Sequence, residues 1–300
     1  MSQPRILNIY LYPPMLHMAR AGKSGFLNRL TRLLTDRDWQ VRIRWSGDRP
    51  RAQAADQPGY ALYHMEQPTH DRALTFRLAY HYPFWRLERQ AQRWRWPVAR
   101  AAFDPALVPR RQADDFALRL RRRVLGDITP SRGDHILVPL QGRLRQTRSF
   151  QVASPIDMLE QAAQTGRPTI ATLHPKETLD EQDDKALAAL AARYPNLTIG
   201  GNSAQLLPDC AFVVTQNSAV AFDGFILGKP AVLFAQSDFH HIALKAADLG
   251  AERAIGQAMS HQPDFAGYLH WFLTCQSLDM MAPDADEHLL AAMRDGGWPV

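Results

Sequence analysis

From residue 135 to residue 234 the chain alternates short apolar runs with longer amphipathic ones, and this alternation constrains the fold most tightly. The apolar runs are HILVPLQ (135–141), TIATL (169–173), LTIG (197–200), CAFVVT (210–215) and AVLF (231–234). Each is the length of a buried strand, about 4–8 residues. Between them lie helical patterns. One starts at Ser154-Pro155-Ile156-Asp157, where Ser caps, Pro takes the first turn and Asp returns a capping-box bond, and it stops at Gly166. DDKALAALAARY (183–194) is a second, and AVAFDGFIL (219–227), stopped by Gly228, is a third. Strands alternating with helices in this way predict βαβ units on a parallel sheet, hence an α/β fold.

The first half is less regular. ILNIYL (6–11) predicts a first strand, and PPMLHMARAGKSG (13–25) a loop. FLNRLTRLLTDRD (26–38) has apolar residues at helical spacing and predicts a helix, QVRIRW (40–45) a second strand and ALYHM (61–65) a third. From Thr69 to Arg123 the Arg-rich chain is expected to be helical in pieces between Pro83, Pro97, Pro105 and Pro109. The opening residues lack a basic n-region with a long apolar core and a cleavage site, so they are expected to be a strand and not a leader. No apolar stretch approaches the roughly 20 residues of a membrane span.

Hydrophobic residues make up 46% of the 300, ample for sizeable cores. Cys210 and Cys275 are too few for a disulfide framework, and both are expected to be reduced core residues of a cytoplasmic protein. Residues 1–130 hold 23 Lys+Arg against 11 Asp+Glu, and residues 131–300 hold 12 against 19. This change of sign places an expected domain boundary at 130, giving domains 1–130 and 131–300.

In open α/β sheets ligands bind beyond the carboxyl ends of the strands. Gln216, Asn217 and Ser218 follow the strand CAFVVT at the start of a helix, where free N–H groups and the helix dipole favour an anion. His174 follows the strand TIATL in the equivalent place. Two strand ends would thus aim polar groups at one anionic ligand. Ser218 equally suits a plain helix cap, and Asp223 a solvent-facing helix edge. Metal is not expected: His240-His241 is the nearest thing to a ligand pair, and neighbours on a helix diverge by about 100°.

ILVPLQ, SPIDMLEQA, LHPKE and TQNSAVAFDGFILGKPAVLF together resemble the successive blocks of the capsule polysaccharide biosynthesis proteins of the Kdo-transferase type. Asn217, Ser218, Gly228, Lys229 and Pro230 match that family's Asn-Ser to Gly-Lys-Pro block at the same spacing, and residues 22–41 are similar to its N-terminal loop and helix. The match covers residues 130–245 best. It implies a GT-B-like fold, two Rossmann-like domains facing each other across a cleft. The N-terminal domain would take the acceptor and the C-terminal domain the nucleotide sugar.

The resemblance also implies a glycosyltransferase of capsule or surface-polysaccharide synthesis. It would move a Kdo-like acid sugar from a CMP-activated donor to a glycolipid or polysaccharide acceptor, with the CMP-sugar as substrate and no cofactor. His174 would contact or protonate the donor phosphate, and Gln216, Asn217 and Ser218 would hold it. Asp223 would meet a ribose hydroxyl where the family has Glu. Gly22, Lys23, Ser24 and Gly25 would form an acceptor-side loop. Thr172-Leu173 stands where the family often has Lys-Pro, and Lys176 is the substitute cation. Ala221 replaces a family Gly, adding bulk beside the ligand. These departures keep two alternatives open: a nucleotide-binding partner without catalysis, and a UDP-sugar enzyme such as a hexose transferase or 2-epimerase.

FWRLERQAQRWRWPVAR (84–100) interleaves Trp85, Trp94 and Trp96 with arginines, and Arg121-Arg122-Arg123 adds to the basic half. Such a stretch suits a solvated face, or an amphipathic helix on an anionic membrane surface. Nucleic acid is not expected, because no nucleic-acid module is legible. Under the family resemblance the expectation is peripheral contact with the inner membrane.

Overall fold

A computed structural model describes residues 4–174 and 177–300. The chain divides into two compact units, Met1–Arg100 with Phe272–Val300, and Ala101–Trp271.

The first unit is built on a six-stranded sheet of β1 (Ile6–Leu11), β2 (Gln40–Trp45), β3 (Tyr60–His64), β4 (Ala73–Leu78), β5 (Phe84–Glu88) and a strand from the chain end, β12 (Leu278–Asp279), in the order β12-β5-β4-β3-β1-β2. The pairs from β2 to β4 are parallel, and β5 is antiparallel to both β4 and β12. The helix Gly25–Thr35 lays Phe26, Leu27, Leu30, Leu33 and Leu34 into the core of this unit. Pro13–Arg20 is a helix and not a loop, because its two prolines occupy the first turn, where a missing N–H costs nothing.

The Arg-rich region corrects a second expectation. Residues 73–78 and 84–88 are strands, not pieces of helix. ALTFRL and FWRLE carry the aromatic and branched residues that strands favour, and their arginines mask the period of two. Residues 84–100 therefore form no amphipathic helix: Trp85, Arg86 and Trp96 are buried, and Trp96 Nε1 donates to the Gln90 carbonyl at 2.6 Å. Arg95 and Arg100 of this stretch are exposed and Trp94 is half-buried. Among the described residues no helix is long and apolar enough to cross a membrane.

The boundary expected at 130 is also displaced. The last 29 residues return to the first unit, where β12 extends its sheet and Asp286, on the helix Ala285–Asp295, takes an ion pair from Arg29 Nε at 2.5 Å and one from Arg32 at 3.0 Å. Trp298 packs against Trp39 and Tyr60. The Arg-rich helix Arg110–Leu125 instead packs on helices Ala219–Ile226 and Phe265–His270 of the second unit. Counted on these units, Lys+Arg against Asp+Glu is 18 against 12 and 17 against 18, so the change of charge along the chain marks no structural boundary.

The second unit carries β6 (Ile136–Pro139), β7 (Thr169–Thr172), β8 (Leu197–Ile199), β9 (Phe212–Thr215), β10 (Ala231–Leu233) and β11 (Leu244–Lys245), all parallel, in the order β11-β10-β9-β6-β7-β8. Every residue of β6 and β9 is buried, as expected for central strands covered on both faces. The helix Pro155–Ala163 has the capping box: Ser154 Oγ accepts from Asp157 N at 3.1 Å, and Asp157 Oδ2 accepts from Ser154 N at 3.3 Å. Cys210 lies buried in this unit, whereas Cys275 is exposed and not a core residue.

The order of strands in the second unit is that of a Rossmann fold, with the direction of succession reversing between β6 and β9. Both units are thus Rossmann-like, and the fold is α/β of the GT-B type.

Candidate functional site

Strand succession reverses at β6 and β9, so the loops leaving their carboxyl ends diverge and leave a crevice. The structure pins that point. Thr215 Oγ1 donates to the Pro139 carbonyl at 3.0 Å, and Asn217 N donates to Gln141 Oε1 at 3.2 Å. A pocket of about 320 Å³ opens beside it, walled by Pro139 and Leu140 after β6, Thr172 to His174 after β7, Gly201 to Ala204 after β8, and Ser218, Val220 and Asp223 after β9. That volume is at the lower end of ligand sites, about 300–1,000 Å³.

Three of the residues singled out in sequence, His174, Ser218 and Asp223, share this pocket. His174 is exposed, and Ser218 and Asp223 are half-buried. Ser218 caps the helix Ala219–Ile226: its Oγ accepts from Val220 N at 3.3 Å. An accepting hydroxyl keeps its own proton to donate, so capping and ligand contact are compatible roles of this one side chain.

Gln216 and Asn217 are not in the pocket wall. Gln216 is fully buried and its Nε2 donates to the Ala153 carbonyl at 3.0 Å. Asn217 Nδ2 donates to the Gln236 carbonyl at 2.9 Å. Their side chains tie the β9 turn to neighbouring loops. A phosphate seat on these two side chains is therefore corrected to a supporting role. Ala221 is buried in the core and forms no part of the wall, so its methyl does not crowd the pocket. Lys176 lies outside the described residues. Gly22, Lys23, Ser24 and Gly25 belong to the first unit, where Ser24 is buried and caps the helix Gly25–Thr35, its Oγ accepting from Leu27 N at 3.5 Å.

Lys229, in the Gly-Lys-Pro that ends the block, is buried and pins the fold. Its Nζ donates to the Cys210 carbonyl at 2.7 Å and to the Ser131 carbonyl. Burial lowers its pKa and pushes the neighbouring Cys210 thiol up to about 12.

Asn202 and Ser203 were not singled out in sequence. Asn202 Oδ1 accepts from Ala204 N at 2.8 Å, and Ser203 Oγ meets Thr172 Oγ1 at 2.5 Å in the pocket wall. A signal for them exists: Asn202-Ser203-Ala204 repeats Asn217-Ser218-Ala219, and each triplet follows a strand of the same sheet. His240 and His241 do not diverge. They lie outside any helix, their rings stack at 4.5 Å, and their Nδ1 atoms meet the Ser237 carbonyl and the Tyr268 hydroxyl. No group of three metal-ligating side chains occurs among the described residues.

In the first unit the ends of β1 to β3 carry Glu66, held by Tyr12 Oη at 2.7 Å, by Ser46 and by Arg51. Three donors thus fix this carboxylate in place.

These two Rossmann-like units define a GT-B fold, and solved structures share it. The chain is similar to a Thermosulfurimonas dismutans KpsC β-Kdo 2,7 transferase, with a TM-score of 0.54, 12% identity, and coverage of 97% of this chain and 99% of that one. It is more distantly similar to UDP-GlcNAc 2-epimerase from Neisseria meningitidis bound to UDP-GlcNAc (TM-score 0.41, 9% identity, coverage 97% and 99%). It is likewise similar to S. aureus MnaA with UDP (TM-score 0.41, 10% identity, coverage 95% and 94%). At 12% identity the likeness to the Kdo transferase establishes the fold alone. No protein-family model matches the chain, and no curated protein matches it.

Proposed function

We propose that the chain is a glycosyltransferase of surface-polysaccharide synthesis that takes a CMP-activated acid sugar in the pocket of its second unit and passes it to a glycan or glycolipid hydroxyl. The observation that carries this reading is the convergence of His174, Ser218 and Asp223, from two strand ends, on one pocket at the point where strand order reverses. That is where Rossmann sheets bind nucleotides, and the helix start at Ser218 favours their phosphate.

In the reaction the bond from the anomeric carbon to the CMP phosphate oxygen breaks, and its electron pair stays on that oxygen. The acceptor hydroxyl oxygen bonds the anomeric carbon and releases its proton. Charge thus grows on the phosphate, the atom group that the Ser218 hydroxyl and the His174 imidazole would face. A fixed donor aimed at such charge contributes about 3 kcal/mol, or on the order of a hundredfold in rate. Asp223, on the second turn of the helix, is the acceptor for a ribose hydroxyl. Thr172 and Ser203 add a second pair of hydroxyls to the pocket wall.

Calorimetric titration with CMP, CDP and UDP tests the donor class, with CMP expected to bind most tightly. Preference for UDP would replace this reading with that of a UDP-sugar enzyme. Transfer from CMP-Kdo to a lipid or glycan acceptor by wild type and by His174→Ala tests the chemistry, and a loss of about a hundredfold is expected. Equal rates would remove His174 from the mechanism. Tight CMP binding with no transfer by wild type would leave a nucleotide-binding partner.

A further inference from the structure

A cavity of about 500 Å³ belongs wholly to the first unit. It lies at the antiparallel edge, against β5, β12 and the helix Ala285–Asp295. Its wall is strongly cationic. Arg86, Arg89, Arg95 and Arg100 all line it, against the carboxylates of Glu88 and Asp295.

The hydrogen-bond inventory is unbalanced towards donors. Arg89 is set in place by the Asp295 carbonyl, which accepts from its Nε at 3.1 Å and its Nη2 at 2.6 Å. Arg86 is buried, with Nη1 at 3.6 Å from Glu88 Oε1 and its guanidinium over the Phe272 ring. Neither the Arg95 nor the Arg100 guanidinium has an acceptor among the described residues. Guanidinium can only donate. Four guanidinium groups against two carboxylates leave the wall with an excess of cationic donors, and guanidinium forks match the two oxygens of a carboxylate or phosphate.

Size narrows the ligand further. At roughly 30 Å³ per water the cavity holds about seventeen waters, far more than a bare oxyanion displaces. Leu74, Leu278 and Ala292 give it an apolar side as well. Pockets that mix an apolar wall with a few fixed polar groups take small organic molecules.

We infer that this cavity is a binding site for an anionic saccharide, a sugar unit bearing a phosphate or carboxylate group, held by Arg95 and Arg100 with Arg86 in the same wall. It stands on the first unit alone and does not depend on the nucleotide reading of the second.

The test is calorimetry on the full chain at low salt with three probes: a hexose 6-phosphate, a hexuronic acid disaccharide, and neutral maltose. Saturable binding of at least one charged probe is expected, and none of maltose. The probe that binds more tightly tells phosphate from carboxylate. Arg95→Ala combined with Arg100→Ala removes two exposed side chains and should weaken that binding at least tenfold with the melting temperature unchanged. Arg119→Ala, exposed on the second unit, should leave it unchanged. Arg86→Met should abolish it, and if that variant does not fold, the exposed pair still decides. Absence of saturation with both charged probes, or equal affinity in the double variant, would overturn the site.

Discussion

The lysine of Gly-Lys-Pro offers a sharp discrimination between a ligand-binding and a fold-pinning role. In the structure Lys229 is buried outside the pocket wall, and its ammonium bridges the carbonyls of Cys210 and Ser131. Lys229→Met keeps the stem and its packing but removes both donors. Each hydrogen bond to a charged group contributes about 1.5–3 kcal/mol, and a buried carbonyl left without a donor costs about 1–3 kcal/mol. Against this, methionine spares the desolvation that already lowers the lysine pKa. The net expected loss is about 2–3 kcal/mol. Urea unfolding of both proteins, followed by circular dichroism, gives the loss directly, and nucleotide titration under native conditions gives the second readout. The expectation is a clear drop in stability with nucleotide affinity unchanged. Affinity reduced tenfold or more at unchanged stability would refute the reasoning, because it would make Lys229 a ligand-facing cation.

Two further outcomes follow from local geometry. Burial, aided by the Arg77 charge, lowers the His64 pKa from 6.5 to about 4. Between those values the unfolded chain binds a proton that the folded chain refuses, so this stability is present above pH 6.5 and is lost as pH falls towards 4. At pH 5 the loss is about 2 kcal/mol relative to pH 7.5, and unfolding free energies of wild type and His64→Phe at the two pH values should diverge by that amount. Ser154→Ala breaks the reciprocal cap on Pro155–Ala163 and should cost about 1–2 kcal/mol in urea unfolding, with Asp157→Ala adding little to it.

The second unit was legible because its signals are local. Central parallel strands are continuous apolar runs, and Ser154, Asp157 and Gly228 mark helix ends whose bonds the structure contains. Gly228 takes φ +71° just past its helix, a conformation that favours glycine. The first unit hid its edge. Arg77 and Arg86 interrupt β4 and β5, so a period of two read as a basic helix, although Arg86 is buried. No local signal announces that β12, nearly two hundred residues later, pairs with β5, because that contact is decided by which sheet edge remains open.

The site shows the same division. Order and spacing put His174 and Ser218 at strand ends on one edge of the sheet, with β6 between their strands, since parallel strands deliver their carboxyl ends to one side. They could not tell which residue of Gln216-Asn217-Ser218 faces the crevice. The helix cap settles that question. A capping hydroxyl must sit at the first turn's open N–H groups, and in the triplet after β9 those groups face the pocket, so Ser218, which caps, also lines it. Its two predecessors are then turned towards neighbouring loops, and Ala153 and Gln236 supply the carbonyls that hold them there. The same reasoning applies at Asn202, which caps after β8 and lines the same pocket. In this parallel sheet each Asn-Ser pair that follows a strand supplies a cap, and those caps line one pocket because the fold gathers them on one edge.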